Sequence, residues 1–279
     1  MYNLNLKDRK IPESFLAHTL TLLVAIIMAA PVLWMFSLSI RPLGETFEPT
    51  LLPTNIDLQA YNKILTNPRF RTPFFNSLIV AFCSTLLSLT LALPTAYGLS
   101  RYKFRGSKMV LLFIVGNKMF PPVMLTVAYF FLVTRVKIYD TLFAVILMDT
   151  VICLPFAIWM MRNYFDAIPR ELDEAAIIDG TTRFGALLRV VLPVSTPGIA
   201  ATSIYCFLLS WNEFLYAYTF TQSEENQVTS IKIASLQGQF WTDWPTLLAY
   251  SVLFTLPIII LFIITQRYLV QGLTTGSTK

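Results

Sequence analysis

Long apolar runs separated by short polar stretches dominate the chain. Runs of about 20 mostly apolar residues, enough to cross a hydrocarbon core about 30 Å thick as helix, fall at 15–40, 74–100, 109–133, 141–161, 194–220 and 246–270. No run shows the dyad alternation of a membrane barrel. The pattern therefore predicts an all-α, polytopic protein with six transmembrane helices. Asn117, Lys118 and the Pro121-Pro122 pair interrupt the third run, Asp149 lies within the fourth, and Glu213 lies near the end of the fifth. The first run exceeds a signal-peptide core and no small-residue cleavage pattern follows it, so a retained helix is expected. Pro31, Pro94, Pro155 and Pro257 also fall inside runs; each removes a backbone donor and predicts a kink.

The polar connections orient the spans. With both termini cytoplasmic, the inner side holds 13 basic residues and the outer side 7, as the positive-inside rule requires. The expected organisation is residues 1–73 as tail, first span and external loop, 74–270 as the transmembrane core, and 271–279 as a cytoplasmic tail.

Composition agrees with this reading. Only 13% of the 279 residues are charged and 55% are hydrophobic, against about 25% charged in a soluble domain. The 14% aromatic content argues against disorder. A net charge of +5 is then an orientation signal, and no nucleic-acid partner is expected. Cys83, Cys153 and Cys206 all sit in apolar runs and read as small core residues. With His18 the lone histidine, neither a metal site nor histidine catalysis is expected.

Polar residues inside spans are costly and need partners or water. Lys118 and Asp149 lie about 14 and 18 Å deep at 1.5 Å per residue, so they can pair, either as a structural tie or as the lining of a path. Ser210, Trp211, Asn212 and Glu213 combine an indole face with polar groups. They read equally as a sugar-binding surface or as an interfacial tryptophan anchor with capping neighbours. Trp241 and Trp244 read as belt residues.

One cytoplasmic connection, 166–193, is too long for a turn. Pro169 suits a first helical position, and Glu171, Asp173 and Glu174 suit a first turn. Gly180 fits a helix stop, and Thr181 or Thr182 can cap a second helix running to about Val190 and ending before Pro193. Exposed Ala175 and Ala176 would let another protein's surface approach closely. Within it, Glu174-Ala175-Ala176, Gly180, Val190, Leu192 and Pro193 keep every spacing of the EAA loop of permease subunits in ABC importers, with Val190 in place of the family's isoleucine.

The flanks IPRELDEAAIIDG, SWNEF and QRYLVQGLTTGSTK narrow the resemblance to binding-protein-dependent, maltose-type carbohydrate permeases. The resemblance implies a type I importer architecture in the bacterial inner membrane. It implies a second homologous permease, two ATPase subunits and an extracytoplasmic solute-binding protein as partners, and a sugar-like substrate. The coupling surface it implies comprises Glu174, Ala175, Ala176, Asp179, Gly180, Arg183 and Pro193. Lys118, Asp149, Ser210, Trp211, Asn212 and Glu213 are the candidates for the substrate path. The 220–243 loop is a candidate probe of the binding protein.

No GxxxxGK[ST] loop occurs. The chain is therefore expected to be non-catalytic and free of cofactors, with ATP and Mg held by the partner ATPases. The competing readings are a permease for an amino acid, peptide or glycerophosphodiester, an ion-coupled secondary transporter, and a membrane enzyme. The last needs ionisable groups clustered at one depth, which Lys118, Asp149 and Glu213 do not supply.

Overall fold

The computed structural model describes residues 10–46, 50, 52–102, 104–116, 119–238 and 241–275. The chain divides into two compact units, Met1–Thr66 with Leu236–Leu253, and Asn67–Ser235 with Phe254–Lys279.

In the first unit, α1 (Lys10–Ser39) exposes every described side chain from Phe15 to Trp34. A helix that is apolar all round suits lipid. At its end, Ser39 shares a 2.7 Å hydrogen bond with Tyr61 of α2 (Gln59–Thr66). Asp243, just ahead of α13 (Trp244–Thr275), pairs with Lys63 of α2 at 2.8 Å. Asp243 also caps α13 by accepting from the Thr246 amide at 3.2 Å and the Thr246 hydroxyl at 2.6 Å.

The second unit is built on α3 (Pro68–Arg101) and α6 (Leu142–Asp166), with α10 (Thr196–Trp211) packed against both. Asn67 caps α3, with Pro68 at the first helical position, and Thr141 caps α6. Ala92, Ala96, Cys153, Ala157 and Cys206 are fully buried in their shared core. Small side chains let membrane helices approach closely, and Gly198 carries this furthest, packing on the ring of Tyr164.

Among the described residues, four helices are long and apolar enough to span a bilayer: residues 15–39 of α1, α3, α6 and residues 244–266 of α13. Two expected spans are broken. The third becomes α4 (Ser107–Gly116) and α5 (Pro122–Arg135), with Pro121 and Pro122 at the start of the second piece; at 1.5 Å per residue neither piece crosses 30 Å alone. The fifth becomes α10 and α11 (Leu215–Phe220), interrupted at Asn212–Phe214. The helix expected to stop near 270 continues to Thr275. Lys118 lies outside the described residues, as does part of the 220–243 loop.

A polar clasp orders one connection in this unit. The Asp140 carboxylate accepts from the Gln222 amide at 2.8 Å and from the Ser223 amide and hydroxyl, each at 3.0 Å. Burial alone would raise this carboxyl, but the donors outweigh it and hold its pKa below the ordinary carboxylate value. Asn76 then donates to the carbonyls of Glu225 and Gln227. The Thr229 amide, opening α12 (Thr229–Ser235), donates to Ser77.

Candidate functional site

The 166–193 connection folds as a bent pair of short helices. The first is α7 (Glu171–Ile178). It ends in a Schellman arrangement: the Thr181 amide reaches the Ala176 carbonyl at 3.1 Å and the Gly180 amide reaches the Ile177 carbonyl at 3.0 Å. Gly180 has φ +86° and no neighbouring atom where a Cβ would stand. Thr182 then caps α8 (Arg183–Ala186), its hydroxyl accepting from the Gly185 amide at 3.0 Å.

The second helix departs from expectation. A π-helical segment at Leu187–Val191 follows α8, and Pro193 lies within the short α9 (Leu192–Val194) rather than beyond the helix. The turn into the membrane is an 82° bend between 183–194 and 196–211.

The two alanines face different ways. Ala175 is exposed, with Glu174, Asp179 and Gly180. Ala176 is only 6% exposed, which corrects the expectation that both are open. The outward face adds Ile178, 84% exposed, and Phe184. Arg183 places its guanidinium 5.2 Å from the centre of the Tyr102 ring.

The inner face of α7 is held by a buried acid. Asp173 is 6% exposed. Its Oδ2 lies 2.7 Å from Arg101 Nε, and its Oδ1 accepts from the Tyr97 hydroxyl at 2.8 Å. The Arg101 contact is an ion pair whose N–H is not aimed at the oxygen; the aligned hydrogen bond is the one from Tyr97. Arg101 also donates to the Phe165 carbonyl at 2.9 Å, Arg170 to the Ser100 carbonyl at 3.0 Å, and Ser100 to Asp166 at 2.6 Å. An acid on the inward side of α7 is invisible to hydrophobic spacing; the sequence shows only an acidic first turn of Glu171, Asp173 and Glu174.

A second polar group lies deep among the spans. Fully buried Asp149 of α6 accepts from Ser210 of α10, which in turn accepts from Ser84 of α3 at 2.9 Å. Three helices are thereby tied through hydroxyls. Among the described residues, Asp149 Oδ1 and Ser88 Oγ lack a hydrogen-bond partner.

The other residues of the SWNEF stretch are mostly structural. Trp211 is 1% exposed. Phe207 and Phe254 stack on it with centroids 5.7 and 5.0 Å away, and its Nε1 donates to the Phe254 carbonyl at 3.1 Å. No ring face is open to a sugar, which corrects that reading of Trp211. Glu213 accepts from the Tyr216 and Ala217 amides at 2.8 and 2.9 Å, starting α11. Asn212 is exposed and donates to the Leu208 carbonyl. Asp149 and Ser210 are joined; Trp211, Asn212 and Glu213 each serve local structure.

Residues 84–275 match the sequence profile of the binding-protein-dependent transport system inner membrane components. The chain belongs to this family. The permease is thus a non-catalytic, multi-pass component of a bacterial inner-membrane transport system that works with a separate binding protein. It is 34% identical over 251 residues to the diacetylchitobiose uptake permease DasC of Streptomyces coelicolor, covering 89% of this chain and 91% of that one. It is 31% identical to the trehalose/maltose permease MalG of Thermococcus litoralis, covering 92% and 94%. It is 33% identical to the sulfoquinovosyl glycerol permease SmoH of Agrobacterium fabrum, covering 96% and 94%.

Among solved structures, the permease superposes with a TM-score of 0.79 on a chain of a bacterial ABC transporter that imports the acidic polysaccharide alginate. The match has 24% identity and covers 96% of this chain and all of that one. This likeness establishes the importer-permease fold.

Proposed function

We propose that this permease forms half of the translocation path of an ATP-driven importer for a sugar or sugar-like solute. A second, homologous permease completes the path, and an extracytoplasmic solute-binding protein delivers the solute. Two cytoplasmic ATPases bind ATP and Mg and dock on the α7–α8 elbow of each half. Both termini lie in the cytoplasm in this reading, with six membrane crossings in which α4–α5 and α10–α11 are broken spans.

The observation that carries the reading is the elbow itself: a short helix, a left-handed glycine and a capped second helix, exposing Glu174, Ala175 and Ile178. A stiff, bent projection transmits force where a flexible loop would absorb it. Asp179, Gly180 and Arg183 shape its tip, and Pro193 stiffens its return to the membrane. The relatives support the solute class, since diacetylchitobiose, trehalose, maltose and sulfoquinovosyl glycerol all carry sugar units. Lys118 is the candidate polar lining of the path, whereas the Asp149–Ser210 pair, buried among α3, α6 and α10, fits the structural tie between helices.

The test is reconstitution of the permease pair with its ATPases in proteoliposomes. Uptake is expected only with internal ATP and sugar-loaded binding protein. Uptake driven by an ion gradient without ATP would sink the proposal.

A further inference from the structure

Docking alone does not move a span; the docked helix must also be fixed to one. We infer that Asp173 is the positioning residue that fastens the coupling helix to α3, through Arg101 and Tyr97. The inference rests on the docking role proposed above for the elbow.

Glu174 and Asp173 are neighbours in sequence but differ in environment, one exposed and one buried. At 100° per residue, consecutive helical positions can divide between an outer and an inner face. The outer acid is free for a partner. The inner one is held at two points on α3, Arg101 Nε at 2.7 Å and the Tyr97 hydroxyl at 2.8 Å. These contacts lie in the last two turns of α3, a helix of 34 residues packed along α6 and α10. The end of α3 is itself braced to the end of α6 through Arg101 with the Phe165 carbonyl and Ser100 with Asp166. Displacement of α7 is thus passed through side chains to the foot of α3. Otherwise α7 is joined covalently only through 167–170 on one side and the glycine elbow on the other. Arg170, in the first of those joints, also donates to the Ser100 carbonyl of α3, and α7 packs against the 187–191 segment with Ala176 buried. Without Asp173, α7 keeps these contacts but loses its own ion pair and hydrogen bond to α3, while its outer face still grips the ATPase.

The consequence is separable from docking. In the complete transporter, Asp173→Asn and Arg101→Met should still co-purify both ATPases, because the outer face is untouched. Both should hydrolyse ATP, but solute moved per ATP should fall at least tenfold. Tyr97→Phe, which removes one hydrogen bond and no charge, should lower it two- to fivefold with full assembly. The exchange of Arg101→Asp with Asp173→Arg should recover part of the ratio.

A role confined to folding would lower the yield of complex and leave the ratio of the surviving complex unchanged. That result, or a wild-type ratio in all three variants, overturns the inference. Loss of the ATPases from the Tyr97→Phe complex would place the triad in docking and overturn it too. Glu174→Lys reports separately on the elbow: retained ATPases and full uptake in that variant would refute the docking proposal itself, whatever Asp173 does.

Discussion

Gly180 offers a quantitative test of the elbow, because its backbone and its surroundings make opposite predictions. Its φ of +86° is a conformation that L side chains rarely adopt, yet no atom lies within 4 Å of an added Cβ. A side chain is therefore penalised by backbone strain rather than by a clash within the chain. The left-handed conformation costs about 1–2 kcal/mol for an ordinary residue. One or two kcal/mol shifts a two-state population by about 5- to 30-fold. Gly180→Ala should accordingly lower the ratio of bent to unbent elbow by about that factor, so ATP-dependent uptake, if only the bent form couples, should fall by up to that factor and never by more. Asparagine tolerates left-handed backbone better than alanine, so the larger Gly180→Asn should retain more uptake than Gly180→Ala. The assay is initial uptake rate in proteoliposomes, normalised to assembled complex. If uptake falls with side-chain size instead, alanine outperforming asparagine, the conformational argument is wrong and crowding at the partner's surface governs the position.

Three further outcomes follow from the packing. A Cβ on Gly198 would stand 2.6 Å from the Tyr164 ring, so Gly198→Ala should destabilise the permease by about 1–3 kcal/mol through overpacking, read as a lower midpoint of thermal unfolding in detergent. Trp211→Ala should cost about 3–5 kcal/mol as a large buried deletion, while Trp211→Phe should leave the solute concentration for half-maximal uptake unchanged; a tenfold rise would restore a substrate-contacting role. Asp140 has a folded-state pKa below the ordinary carboxylate value, through its donors from Gln222 and Ser223. Its stabilisation is therefore present above about pH 4 and lost as pH falls through the lowered value. Asp140→Ala should cost about 1 kcal/mol at pH 7 from the lost hydrogen bonds, with a further left-handed backbone cost because Asp140 has φ +57°, and should flatten that acid limb of the stability profile.

What the sequence revealed, and what it hid, follows the range of the interactions. The elbow was legible because its determinants are local: Thr182 caps three residues ahead, and Gly180 supplies the left-handed stop within its own turn. The apolar runs likewise announced the long helices. The breaks were harder to see. Pro121-Pro122 signalled one of them, whereas Glu213 reads as a charge in a span until its carboxylate is seen to cap α11.

Trp211 misled because its sequence neighbours are polar, while one of its stacking partners, Phe254, comes from a different helix. Asp173 was hidden for a similar reason. It breaks the apolar periodicity of α7, and its partners Tyr97 and Arg101 belong to a span far away in sequence. Ala176 shares that inward face three residues on, so its burial was masked by the same acid.

The proposed function requires the elbow to touch an ATPase and be driven by it. The most direct measurement is cysteine cross-linking in the assembled transporter, with a bifunctional thiol reagent and a cysteine series in the ATPase groove. Ala175 is exposed and Ala176 is buried, so efficient cross-links, altered by ATP, are expected from Ala175→Cys and few from Ala176→Cys. Equal labelling at both positions, or no cross-link from Glu174, Ala175 or Ile178 to the ATPase in a complex that still transports, would contradict the proposed function.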